Sequence, residues 1–156
     1  MNNIASDPIF KPLKIRNVTF KNRIMSTSHA FGYAEDGKPK EKYQLYHEAK
    51  AKGGLALTSF GGSSNVAPDS PNVFGQIYLG DDSIIPYFQE FSERIHKHDC
   101  KIMVQITHMG RRGTAYDDNW FSPIGPSRVR EACHGGIPRV MDDHDIHRVI
   151  KAYGDA

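Results

Sequence analysis

Cysteine is scarce: there are two in 156 residues, Cys100 and Cys133, and neither belongs to a CxxC pair. That excludes a disulfide scaffold and any readable zinc or cluster motif, and it fits a reducing, cytoplasmic compartment. Charge of one sign is lacking too. Twenty Lys plus Arg against eighteen Asp plus Glu leave a net +2, a balance that gives no argument for a nucleic-acid or anionic-membrane partner. No apolar run approaches the roughly 18 residues that suggest a membrane span. The start, MNNIASDPIF, has no basic region followed by an apolar one, so it does not read as a secretory signal. Familiar motifs are missing as well: no GxGxxG, no Walker A loop, no G-x-S-x-G and no HExxH.

What is there suffices for a core. Apolar residues are 38% and aromatics 10%, which argues against general disorder. In FKPLKIRNVTF, 10–20, Leu13/Ile15 and Val18/Phe20 alternate about Arg16-Asn17, predicting a short hairpin. RIMSTS, 23–28, reads as a strand, and the segment 29–39 as a loop. A helix is expected over 39–52, with Tyr43, Tyr46 and Ala49 on one face and Gly53-Gly54 as its stop. LALTSF, 55–60, reads as a second strand, followed by a polar loop over 61–81 that contains Pro68 and Pro71. Ile84, Phe88, Phe91 and Ile95 then repeat at amphipathic-helix spacing behind a cap at Asp82 or Ser83. KIMVQI, 101–106, is a third strand. The segment 107–141 is too long for a simple connector and reads as a functional loop. Asp142-Asp143 opens a last helical pattern with Ile146, Val149, Ile150 and Tyr153. Its apolar face meets no later element, so the chain reads as one portion, 1–156, of a longer domain.

Strands of continuous apolar character alternating with helices predict an α/β fold with a parallel sheet. It is either an open doubly wound sheet or the first three strands of a (β/α)8 TIM barrel, which needs roughly 250 residues in all. Ligands of either architecture gather beyond the C-terminal ends of the strands. Three segments arrive there: Ser26-Thr27-Ser28-His29-Ala30, Phe60-Gly61-Gly62-Ser63-Ser64 and Gln105-Ile106-Thr107-His108. Gln105 is the most informative residue. Ile102, Val104 and Ile106 share one face of the third strand, and Met103 and Gln105 share the other. An amide in an apolar strand needs partners or costs about 1–3 kcal/mol. A carboxamide donates and accepts together, so it suits either the N–H and C=O edge of a pyrimidine-like ring or a structural bond to a neighbouring strand or loop. Arg111-Arg112 suits a phosphate or, preferably, a salt bridge pinning the long loop. His29 reads as a ligand-facing group or a polar cap. His144 and His147, three apart among aspartates, read as a solvated face rather than a metal site, and His96 and His98 do not face one another.

FKPLKIRNVTFKNRIMS resembles the opening of the old yellow enzyme family of FMN-dependent oxidoreductases. The ordered set Tyr33-Ala-Glu-Asp-Gly37, Ala51-Lys-Gly-Gly54, Gln105-Ile-Thr-His-Met-Gly-Arg111, Pro126-Ser127 and Met141-Asp142 agrees with it. The runs SHAFGYAEDG and ALTSFGGSSNVAPDSPN are most similar to its long bacterial branch: trimethylamine and histamine dehydrogenases, dienoyl-CoA reductases and N-methylproline demethylases. The resemblance implies a (β/α)8 barrel holding FMN, with a hairpin closing its bottom. In the longer parent it implies a 4Fe-4S cluster and an FAD or NAD(P)H region.

By that resemblance Thr27, Ser28, His29 and Ala30 contact the flavin, with His29 also on the substrate side. Gly62 offers backbone near the reactive edge, and Gln105 meets the pyrimidine end. There are departures. Ser28 replaces a common proline, and Gly61 replaces a common acidic residue. Ala30 stands where trimethylamine dehydrogenases carry the cysteine that attaches FMN. The implied catalytic proton donor lies beyond Ala156. The implied reaction is hydride transfer between a small-molecule substrate and FMN. Oxidative demethylation of an N-methylated amine such as N-methylproline is preferred over NAD(P)H-dependent ene or dienoyl-CoA reduction. The parent is expected to be a homo-oligomer. A non-catalytic α/β binding module is the rival reading.

Overall fold

The computed structural model describes residues 6–70, 75–112, 122–133 and 136–156. Pro71 and the middle of the long connection, 113–121, lie outside these residues. The chain opens with the expected hairpin: β1 (Leu13–Ile15) runs antiparallel to β2 (Val18–Phe20), with Ile15 opposite Val18. Two residues, Arg16-Asn17, turn the chain. Arg16 takes a φ of +49°, the left-handed geometry that two-residue hairpin turns require.

The central sheet is parallel, in the order β3 (Met25–Ser26), β4 (Leu57–Asn65), β5 (Lys101–Thr107). Helix α1 (Glu41–Lys52) joins the first two strands, and α2 (Ile85–His96) joins the second pair. Parallel neighbours require such crossovers. Register puts Ser26, Thr58 and Ile102 level on one face, and Ser59 and Met103 level on the other. The first face takes the helices. Phe60 of β4 packs with Tyr43 of α1 and with Phe88 and Phe91 of α2, and Phe91 and Ile95 are fully buried. The second face carries Met25 and Met103, both about half exposed. This is the arrangement of three staves of a barrel, helices outside and strands inside.

Four expectations needed correction. First, the strand at 23–28 shrinks to Met25–Ser26. Second, the strand at 55–60 starts at Leu57 and runs on to Asn65, through what reads in sequence as loop. Its register slips between Phe60 and Ser64, then resumes with Ser64 opposite Ile106. Gly61 (φ +83°) and Ser63 (φ +71°) form this bulge, which polar composition disguises as a loop. Third, the buried face of α1 is Tyr43, Gln44, His47, Glu48 and Ala51, while Ala49 is exposed. Three of these are polar and paired: Gln44 and Glu48 bind Arg94 of α2, and His47 binds Thr58. An amphipathic reading cannot see such a stripe. Fourth, the cap before α2 is Asp81, whose carboxylate accepts from Ser83 N–H and starts a 3-10 turn, Asp82–Ile84.

The long connection holds a short parallel pair, β6 (Ile124–Gly125) with β7 (Arg139–Val140). The final helix α3 (Asp143–Asp155) starts on a capping box in which Asp142 and Asp145 each accept the other's backbone N–H. Among the described residues no helix is long and apolar enough to cross a membrane.

Candidate functional site

All three strands end on the same side, and their tips touch. A Cβ added to Gly62 would stand 2.4 Å from the carbonyl carbon of His29 and 2.7 Å from the nitrogen of Ala30. One added to Gly61 would stand 3.1 Å from the carbonyl oxygen of Gln105. The second strand therefore bridges the first and third at backbone distance, which glycine permits.

Below the tips, on the helix-free face, lies an open cleft of about 360 Å³ lined by Met25, Thr27, Ser28, Ser59, Met103, Val104 and Gln105. Thr27, Ser28 and Gln105 come together here from strands that are 78 residues apart in sequence at Thr27 and Gln105. Among the described residues the Gln105 carboxamide and the Thr27 hydroxyl have no side-chain hydrogen-bond partner. Among the described residues, then, no side-chain bond ties the Gln105 amide to a neighbouring strand, and the residue lines the cleft. Ser28 is engaged differently. Its hydroxyl meets that of Ser59 and donates to the Phe60 carbonyl at 3.1 Å, tying the first tip to β4.

His29 and Ala30 do not line this cleft. The His29 imidazole reaches outward to α1, with Nε2 2.8 Å from the Tyr46 hydroxyl and Nδ1 3.3 Å from the Thr27 carbonyl. A carbonyl only accepts, so the proton sits on Nδ1 and Tyr46 donates to Nε2. What stands at the tip is the backbone of His29 and Ala30, against Gly62.

The bulge behind the tips is held from several sides. The buried Tyr43 hydroxyl accepts the Gly61 N–H at 2.9 Å, and Ser64 Oγ donates to the Gly61 carbonyl at 2.7 Å. Burial pushes the Tyr43 phenol up to about 12. Next to it, burial, with the Lys50 charge secondary, pushes His47 down to about 3. His47 is therefore neutral, bonded through Nδ1 to Thr58 Oγ1 at 2.7 Å. Sequence reasoning placed Tyr43 on a helix face and missed this role, and it missed Ser59 altogether. A phenol reaching a strand residue 18 positions away leaves no local signal.

Of the pair preferred from sequence as a salt bridge, only Arg112 makes an ion pair among the described residues, Nε 4.0 Å from Glu131 and mostly exposed, while Arg111 Nη1 lies 3.4 Å from the Val129 carbonyl of the long connection. His98 pairs with Glu48 at 3.1 Å rather than with His96. His144 stands within 4.8 Å of ligand atoms on Asp142 and Asp145. The Asp145 carboxylate is already taken by Arg139 and Arg148, however, so no cation is needed to explain the group.

A cleft with a free carboxamide, a free hydroxyl and thioether walls, topped by a glycine-lined backbone ridge, suits a flat heteroaromatic ring with donors and acceptors on one edge. Residues 8–156 match the profile of the NADH:flavin oxidoreductase / NADH oxidase family. The chain belongs to that family. Among curated family relatives, it is 53% identical over 154 residues to a "Multifunctional alkene reductase/demethylase OYE" from Caballeronia cordobensis, matching 99% of this chain and 23% of the relative. It is 40% identical to a "Probable N-methylproline demethylase" from Rhizobium meliloti (strain 1021), over 98% of this chain and 23% of that one. The chain thus spans about a quarter of the length of these relatives. A solved old yellow enzyme from Pichia sp. AKU4542 superposes with a TM-score of 0.84 at 18% identity, over 98% of this chain and 42% of its own. At that identity the match establishes fold: an α/β chain built as the opening part of a (β/α)8 barrel. Membership of this family agrees with the resemblance carried by FKPLKIRNVTFKNRIMS.

Proposed function

We propose that residues 1–156 form the first arc of a longer FMN-binding barrel. Its three tips hold the flavin ring in an oxidoreductase that removes N-methyl groups from a small amine such as N-methylproline. The observation that carries this reading is the Gln105 carboxamide, which has no side-chain partner among the described residues and lines the same cleft as Thr27 and Ser28. Bound FMN would supply a hydride acceptor for the carbon next to the amine nitrogen, and water would then release formaldehyde from the resulting iminium. The chain's own residues bind and orient. Gln105 donates to and accepts from the pyrimidine edge, where a donor also stabilises negative charge on a reduced ring. Thr27 adds a hydroxyl on the opposite side of the cleft. The backbone of Ser28, His29 and Ala30, backed by Gly62, sets how closely the ring can approach.

Ene reduction is the second reading, favoured by the relative whose name joins alkene reductase to demethylase. A 4Fe-4S cluster and an FAD or NAD(P)H site belong, in this proposal, to chain beyond Ala156. Two free cysteines in this portion suit a cytoplasmic protein. The test uses the barrel-length polypeptide carrying this sequence. Purified protein should show flavin absorbance, weakened about tenfold in occupancy by Gln105→Leu, as expected for loss of a hydrogen-bonding edge. With N-methylproline it should release formaldehyde. A colourless barrel-length protein rules out the flavin site. A yellow one that oxidises NAD(P)H with an activated alkene but yields no formaldehyde moves the assignment to ene reduction.

A further inference from the structure

Gln105 stands three residues before His108, and His108 is held on three sides. Its backbone N–H donates to the Tyr153 hydroxyl of α3 at 2.7 Å. Its Nδ1 accepts the Gly110 N–H at 3.1 Å. That acceptor role leaves the ring proton on Nε2, which points at Asp69 Oδ1, 3.4 Å away. The His108 side chain is 6% exposed and Asp69 is 8% exposed, so this contact is sheltered from water. Asp69 is in turn gripped by both arms of Arg148, at 2.7 and 2.6 Å. Arg148 also meets Asp145 at 3.3 Å, and Asp145 binds Arg139 at 2.8 Å. Burial works against the Asp69 carboxylate, yet Arg148 and His108 hold it below the usual carboxylate range.

This network joins the segment after β4, the turn after β5, the strand β7 and α3. Two backbone ties run beside it: Val66 N–H to the Thr107 carbonyl at 3.1 Å, and Met109 N–H to Ser70 Oγ at 2.8 Å. The turn that follows Gln105 is thereby fastened on its far side, while among the described residues the Gln105 amide itself has no side-chain bond to fix it.

We infer that Asp69 is a positioning residue for the flavin site: acting through His108, it fixes where β5 ends and so where the Gln105 carboxamide stands. The inference rests on the proposal that Gln105 meets the flavin. Oδ1 of Asp69 takes both the His108 Nε2–H and one Arg148 N–H, and Oδ2 takes the second Arg148 N–H, so an amide at this position sets one N–H against N–H and removes the charge that both donors face. Asp69→Asn keeps the shape of the site and removes that charge and the second Arg148 bond.

The test is a double-mutant cycle on the barrel-length holoenzyme, reading the FMN dissociation constant and the flavin midpoint potential for the parent, Asp69→Asn, Gln105→Leu and the double variant. Each single variant should weaken FMN about tenfold and shift the potential in the same direction, the size expected for one hydrogen-bonded contact. In the Gln105→Leu background, Asp69→Asn should add less than about twofold, because its effect travels through the missing amide. Additive effects, or an Asp69→Asn protein with the parent's FMN affinity and potential, overturn the positioning role alone. A Gln105→Leu protein indistinguishable from the parent overturns the flavin-site reading on which it stands. If Asp69→Asn does not fold, His108 serves instead. His108→Gln keeps a donor towards Asp69 and should retain FMN affinity within about twofold, whereas His108→Leu should lose about tenfold. Equal affinities in that pair overturn the inference.

Discussion

The backbone of Gly62 lies so close to that of His29 that a methyl group at 62 would stand 2.4 Å from the His29 carbonyl carbon and 2.5 Å from its Cα. Neither atom belongs to a flexible side chain, so the tip itself would have to move. Gly62→Ala is expected to destabilise the barrel-length protein by about 1–3 kcal/mol, the usual cost of overpacking. It should also release flavin, since the displaced segment carries Thr27 and Ser28. Urea unfolding and flavin occupancy read the two effects separately. An alanine variant with both values unchanged means that the two tips are not in contact.

Tyr43→Phe removes one oxygen and leaves the Gly61 N–H unpaired inside the fold. A buried, orphaned donor costs about 1–3 kcal/mol, and the loss should appear at neutral pH. The pH dependence gives a second signature. The phenol is pushed from its ordinary 10 up to about 12 by burial, so the folded state favours the protonated form. That contribution is present below pH 10 and lost as pH rises towards 12. The difference in stability between parent and Phe variant, measured by urea unfolding, should therefore narrow over that alkaline window. A constant difference across it contradicts the assigned burial of the hydroxyl.

Much of this fold is legible in sequence because its signals are local. Leu13, Ile15, Val18 and Phe20 alternate around a two-residue turn, and Ile84, Phe88, Phe91 and Ile95 repeat at helical spacing. Strand alternation likewise separates Met103 and Gln105 from Ile102 and Val104. What stays hidden depends on partners distant in sequence. The Gly61–Ser63 bulge looks like loop because its polar residues find their bonds at Tyr43 and within the bulge itself. The buried stripe of α1 looks solvated because Gln44 and Glu48 meet Arg94 some 46 to 50 residues away. Asp69 and Arg148, 79 residues apart, leave no trace in either segment. The outward turn of the His29 ring depends on Tyr46 of α1, a contact no strand pattern contains.

Phe91 is 0% exposed and packs edge-on to Phe60 at 4.9 Å between ring centroids and to Tyr43 at 6.0 Å. It is the point where α1, α2 and β4 meet. Truncating such a side chain removes its burial and leaves a cavity, so Phe91→Ala should cost about 3–5 kcal/mol. Phe91→Leu keeps most of the volume and should cost roughly a third of that. Both follow from the midpoint of urea unfolding. Equal, small losses in the two variants would place this ring at the surface.

On the acid side two neighbours on α1 should fail in separate windows. His47 is held neutral by burial, with its pKa pushed from 6.5 to about 3. The unfolded chain binds that proton first, so stability begins to fall as pH drops below 6.5 and goes on falling to about 3. Glu48 accepts from His98, Arg94 and Lys52, which hold its carboxyl at about 2 against an ordinary 4.5. Its contribution is intact above 4.5 and lost as pH falls towards 2. His47→Gln should therefore flatten the upper limb of the stability curve, recovering several kcal/mol at pH 4 relative to its own deficit at pH 7. Glu48→Gln should leave that limb alone and lose about 1–2 kcal/mol at neutral pH, a value discounted for the solvent near the pair. That deficit should vanish by about pH 2. Urea unfolding of both variants and the parent from pH 7 down to the lowest folded pH separates the two. If the curves of both variants stay parallel to the parent's throughout, neither group titrates differently in the folded state.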